Sequence, residues 1–91
     1  MTGLSRRVSI TNQRGLHARA AAKIVKLVAE FEADVRVAKD GTEVSGNSIM
    51  GLMMLAAAPG TEILLRCRGP QADDCLTALV ALIEAKFYES E

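Results

Sequence analysis

Asp40-Gly41 lies between two short stretches in which the residues alternate, Asp34 to Lys39 and Thr42 to Ser45. An Asp-Gly pair in that setting specifies a tight two-residue turn, because both central positions need positive φ. The middle of the chain is therefore an antiparallel hairpin, with Val35 and Val37 pointing to one face. Every other element has to be arranged around that piece of sheet.

Upstream, Arg7-Val8-Ser9-Ile10-Thr11 alternates at period two and reads as a half-buried strand. Asn12, Gln13, Arg14 and Gly15 follow as a polar loop. From Ala18 to Phe31 the period changes to that of a helix. Ala21, Ile24, Val25, Val28 and Phe31 share one stripe, and Arg19, Lys23, Lys26 and Glu30 share the opposite face. Downstream, Gly46-Asn47-Ser48 breaks the pattern, with Ser48 suited to cap a short apolar helix from Ile49 to Ala58. Pro59-Gly60 ends that helix. Thr61 to Arg68 alternates with Ile63, Leu65 and Cys67 inward. Gly69-Pro70 opens the last helix, and Asp73 and Asp74 sit in its early turns, where the helix dipole favours them. Its stripe runs through Ala72, Cys75, Leu76, Leu79, Leu82, Ile83 and the stem of Lys86. The order β-α-β-β-α-β-α predicts an α+β open-faced sandwich over residues 1–91 as a single domain. One four-stranded, mainly antiparallel sheet is covered on one face by three helices. Only the hairpin neighbours follow from pattern; the other strand neighbours stay open.

The chain has 91 residues and a formal net charge of zero, so no global field draws it to nucleic acid or an anionic membrane. Its aromatics are Phe31, Phe87 and Tyr88, too few to serve as stacking platforms for a single strand. No apolar run reaches the ~20 residues of a membrane span. Arg6 and Arg7 lead into a polar-apolar alternation, not into the apolar core of a signal peptide. Cys67 and Cys75 suit neither a disulfide framework nor a zinc site, and both fall on core-facing positions. A reduced, cytoplasmic protein is expected.

His17, the sole histidine, stands where the polar loop becomes a helix. A lone histidine is most often a capping or loop residue. Here, however, the backbone N–H groups of a helix start attract anions, and Arg19 adds a cationic fork in the first turn. The positive helix end favours the uncharged, nucleophilic imidazole. These features together suit the receipt of a phosphoryl group. No metal-ligand set accompanies His17, so neither a metal nor another cofactor is expected. The residues alone leave three functions open: a phosphocarrier, a regulatory binding module, and a ferredoxin-like or small-molecule-sensing α+β domain in which His17 is incidental.

Gly15-Leu16-His17-Ala18-Arg19 and Ser48-Ile49-Met50-Gly51-Leu52-Met53, with the element order, resemble the HPr family over essentially the whole chain. HPr is the histidine-containing phosphocarrier of the bacterial phosphoenolpyruvate-dependent phosphotransferase system. The resemblance implies that His17 is phosphorylated through Nδ1, that Arg19 steadies the phosphate, and that Ser48 is a regulatory phosphorylation site. It implies a monomeric relay component, not an autonomous enzyme. An enzyme I-type protein would be its donor, an enzyme IIA-type protein its acceptor, and an HPr serine kinase/phosphorylase its regulator. The usual His-Ala-Arg-Pro reads His17-Ala18-Arg19-Ala20 here. Alanine restores a backbone donor that proline lacks, and it resembles the nitrogen-related branch more than the sugar-transport carrier. Asn47 replaces the lysine that many members carry before the serine.

The helix beginning at Ile49 is apolar all round, and one sheet cannot bury every side of it. Leu52 and Leu55 read as core. Ile49, Met50 and Met53 are the candidates for an exposed docking patch, matching the family's docking surface. Ala20, Lys23 and Lys26 on the preceding helix are added to that surface, with the lysines suited to acidic partners.

Overall fold

The computed structural model describes residues 3–89. The elements are β1 (Leu4–Ser9), α1 (Ala18–Val28), β2 (Asp34–Lys39), β3 (Thr42–Ser45), α2 (Ile49–Met54), β4 (Glu62–Arg68) and α3 (Ala72–Glu84). A last turn, Lys86–Tyr88, follows α3. The hairpin forms as its sequence requires. Asp40 and Gly41 have φ of 49° and 82°, and Lys39 pairs with Thr42 across the turn.

The four strands form one sheet in the order β1-β4-β2-β3, and every neighbouring pair is antiparallel. The sequence pattern left this order open. Val8, Val35, Val37, Ile63, Leu65 and Cys67 are buried on the sheet's inner face. They pack with Ala21, Ile24 and Val28 of α1, Leu52 of α2 and Cys75, Leu79 and Ile83 of α3 in a single cluster. The opposite face stays polar and carries Arg7–Glu62 and Arg66–Glu43 ion pairs. That is the open-faced sandwich. Burial pushes the Cys67 thiol up to about 12, with the neighbouring Cys75 adding to the effect. Burial also raises Cys75. Both are free and buried, as packing residues. No helix among the described residues is long and apolar enough to cross a membrane.

Several boundaries differ from the sequence reading. β1 covers Leu4–Ser9, earlier than the stretch from Arg7 to Thr11, because β4 supplies pairing partners back to Cys67 opposite Leu4. Ile10 still bonds across, donating to the Thr61 carbonyl and accepting from Gly60. α1 ends at Val28, not Phe31. The chain tightens there, with Glu30 donating to Leu27 and Phe31 to Val28, which closes the orphan carbonyls of a helix end. α2 ends at Met54, not Ala58, because Ala56 turns left-handed with φ of 52°. α3 begins at Ala72, two residues after Pro70, and stops at Glu84, so Lys86 lies beyond its stripe.

Candidate functional site

The loop from Asn12 to His17 hangs on two interactions. The Asn12 side chain, fully buried, donates from Nδ2 to the Gly15 carbonyl at 2.8 Å. Leu16 N–H donates to the Ala57 carbonyl at 2.9 Å. Gly15 makes that approach possible. Its φ is +66°, and a Cβ there would stand 2.6 Å from the Ala57 oxygen. The loop therefore delivers His17 to the start of α1 in a fixed place.

His17 is the N-cap of α1. Its backbone is extended, its carbonyl accepts the first intrahelical bond from Ala21, and its Nδ1 accepts from Arg19 N–H at 3.3 Å. The N–H groups of Ala18, Arg19 and Ala20 precede that first helical bond and point out of the helix end. Nε2 of His17 is hydrogen-bonded to Oε2 of Glu89, which follows the last turn. A carboxylate only accepts and a backbone N–H only donates, so the two contacts fix one tautomer. Nε2 carries the proton and Nδ1 keeps its lone pair. The His17 side chain is 24% exposed and that of Glu89 10%.

The Glu89 carboxylate has a second donor, Asn12 Nδ2, at 2.9 Å from Oε1. Burial works to raise its pKa. The hydrogen bonds from Asn12 and His17 and the electrostatic influence of the His17 ring and Lys23 outweigh that, so the carboxyl is held below its ordinary value. Lys23 reaches the same region and donates to the Phe87 carbonyl.

The other sequence-selected residues take up different environments. Arg19 is exposed in the first turn, two residues from His17, and among the described residues its guanidinium meets no carboxylate. Lys26 is exposed further along α1. Ile49 (40%), Met50 (70%) and Met53 (40%) are exposed, and Met54, which the sequence reading did not single out, is more so at 76%. Leu52 and Leu55 are buried, as core residues. Ser48 caps α2, accepting Gly51 N–H at 3.0 Å. Ala20 is a correction. It lies on the inward side of α1 with no exposed surface, so its side chain cannot meet a partner. Lys23 is half-buried and committed to Phe87, which makes it a tether of the last turn. Asn12 and Glu89 were missed. Glu89 is 72 residues from His17 in the chain, and no periodicity or motif links them.

A family model described as PTS HPr component phosphorylation site matches residues 4–85. The phosphocarrier protein HPr of Cupriavidus necator is 43% identical over 88 residues, covering 97% of this chain and 99% of that protein. The phosphocarrier protein NPr of Shewanella violacea is 43% identical over 90 residues, covering 99% of each chain. Among solved structures, HPr-C-His from Thermoanaerobacter tengcongensis aligns with a TM-score of 0.91 at 38% identity, covering 97% of this chain and 99% of that one. HPr and NPr relatives thus match equally well. The chain belongs to the HPr family of phosphocarrier proteins of the phosphotransferase system.

Proposed function

We propose that His17 accepts a phosphoryl group on Nδ1 from an enzyme I-type donor and passes it to an enzyme IIA-type acceptor. The pathway served is sugar uptake or nitrogen and carbon regulation. One observation carries the reading. Nδ1, the unprotonated nitrogen, faces the N-terminus of α1 and meets only the long hydrogen bond from Arg19 N–H, while the other ring nitrogen is held by Glu89.

The chemistry asked of the protein is positioning and charge stabilisation. Arg19 is an unpaired fork for phosphate oxygens. The first-turn N–H groups of Ala18 and Ala20 add donors at the positive helix end. Ala20 contributes here through its backbone alone, a donor that the usual proline would not supply.

Docking on the partners uses the apolar surface of Ile49, Met50 and Met53, extended by Met54, with Arg19 and Lys26 supplying positive charge for acidic proteins. Ser48, at the edge of that surface, is where a serine kinase/phosphorylase would regulate docking. The protein works as a monomer in the cytoplasm.

Intact-mass analysis after incubation with phosphoenolpyruvate and an enzyme I tests the reading. One added phosphoryl group, lost in mild acid and absent in His17→Ala, is the expected result. Arg19→Glu should retain the fold and transfer poorly, since surface changes usually stay within about 0.5 kcal/mol. Undiminished labelling of His17→Ala overturns the assignment.

A further inference from the structure

The phosphocarrier reading uses Nδ1 of His17 and leaves the carboxylate on the far side of the ring without a role. That carboxylate is not a casual surface contact. Both of its oxygens are engaged, Oε2 by His17 Nε2 and Oε1 by Asn12 Nδ2. Asn12 also holds the Gly15 carbonyl, so one buried amide ties the His17 loop to Glu89.

The backbone that delivers Glu89 is unusual. Lys86, Phe87 and Tyr88 all have φ of 57°, three successive non-glycine residues in the left-handed region. Such residues are strained and persist only where the surroundings over-determine them. Here the surroundings are visible. Phe87 is fully buried in the core, its carbonyl accepts from Lys23, and Glu89 N–H donates to Lys86. A strained turn pinned at three points places a carboxylate on the ring of His17.

We propose that Glu89 is a positioning residue for phosphoryl transfer: by accepting Nε2–H it holds the His17 ring with Nδ1 unprotonated, and it offsets the positive charge the ring gains as the N–P bond forms. This rests on the phosphocarrier reading. On acceptance, the Nδ1 lone pair forms the bond to phosphorus while the donor's N–P bond breaks and its electron pair stays on the donor nitrogen. His17 keeps its Nε2 proton throughout, so no proton has to be moved. The ring becomes cationic as Nδ1 gives up its lone pair, and the carboxylate faces that charge across a hydrogen bond. On donation, the N–P bond breaks with its pair returning to Nδ1, and the ring is again in the accepting tautomer. Without the carboxylate the proton is free to occupy Nδ1, where it blocks the lone pair. A carboxylate that orients a histidine in this way serves the same purpose in hydrolase triads.

The test compares wild type, Glu89→Gln, Glu89→Ala and His17→Ala. Phosphorylation by an enzyme I and phosphoenolpyruvate is followed against carrier concentration, and the ring ¹⁵N shifts of His17 are recorded in the unphosphorylated proteins. Losses of roughly 10- to 100-fold in limiting rate, the scale for carboxylates that orient a metal-bound histidine, are expected in both Glu89 variants. The carrier concentration giving half the limiting rate should change little, and the population with a proton on Nδ1 should rise in Glu89→Ala, which leaves Nε2–H without its acceptor. Wild-type limiting rates in both Glu89 variants overturn the role of Glu89 while leaving His17 as acceptor. A raised half-rate concentration with an unchanged limiting rate makes Glu89 a docking contact and also overturns it. So does a slower rate in Glu89→Ala with an unchanged tautomer, which marks a merely structural effect. Labelling of His17→Ala, or none of wild type, instead overturns the phosphocarrier reading itself.

Discussion

Lys23 on α1 donates a hydrogen bond to the backbone carbonyl of Phe87, 64 residues later in the chain. The turn's own hydrogen bonds run from Tyr88 to Ala85 and from Glu89 to Lys86, so they leave the Phe87 carbonyl for Lys23. Lys23→Ala should therefore loosen the last turn. Losing a hydrogen bond to a charged donor costs about 1.5–3 kcal/mol, and each kcal/mol lowers Tm by roughly 4–8 °C in a domain of this size. Thermal melts check the size of the effect. Amide exchange should locate it, with faster exchange at Glu89 and little change in the sheet. An unchanged melt would show that the lysine is a surface residue after all.

Glu89 also makes a pH prediction. Its carboxyl is held below the ordinary value of 4.5 in the folded protein. A carboxyl lowered in this way binds its proton less readily folded than unfolded. Its contribution to stability is thus fully present above the ordinary value and is lost as pH falls through the folded value. Urea unfolding of wild type and Glu89→Gln should show a stability gap at pH 7 that closes in acid. A gap that holds steady or widens on acidification would contradict the sign of the shift.

Gly15 and Gly41 both have positive φ, yet alanine should affect them differently. At Gly41 a Cβ meets nothing within 4 Å, so only the left-handed backbone is penalised, by about 1–2 kcal/mol. At Gly15 the same penalty is joined by a contact of 2.6 Å with the Ala57 oxygen, which is backbone and already accepts from Leu16. Gly15→Ala should cost clearly more than Gly41→Ala in denaturant unfolding, and it should shift the amide resonances of Leu16 and His17. Equal costs for the two variants would mean that the loop before α1 relaxes freely.

The elements of this fold were legible because each writes its own period into the sequence. The β2–β3 hairpin followed from Asp40-Gly41, and the boundaries of both strands matched. The inward residues Ile63, Leu65 and Cys67 were likewise evident from alternation. Helix ends were less legible, since Phe31 keeps its place on the apolar stripe after α-helical hydrogen bonding has given way to tighter turns. The order β1-β4-β2-β3 was not legible, because alternation says which face a strand buries and not which strand lies beside it. The same limit applies to the site. His17, Arg19 and Ser48 stand at local helix starts, and local signals pick them out as candidates. Glu89 reaches His17 only after α3 has crossed the sheet and Phe87 has been buried, so its role comes from tertiary packing. Ala20 fails for the opposite reason: its neighbours in the motif are exposed, but the helix turns its side chain into the core.

Ser48 permits a prediction in which stability and transfer separate. Its hydroxyl oxygen accepts Gly51 N–H at 3.0 Å, so Ser48→Ala should cost roughly 0.5–2 kcal/mol. Aspartate caps as well as serine and suits the positive helix end, so Ser48→Asp should hold or slightly raise stability. Binding should respond the other way. The new charge stands next to Ile49 and Met50, which are 40% and 70% exposed. Docking an acidic partner there must then desolvate a carboxylate and bring like charges together, which slows association without altering His17. Phosphoserine, with up to about two negative charges, should act more strongly in the same direction. Thermal melts and transfer rates against carrier concentration separate the two effects. Ser48→Asp should transfer more slowly at low carrier concentration and approach the wild-type rate at saturation. A large loss of stability would contradict the capping role, and unchanged transfer at low concentration would contradict the regulatory one.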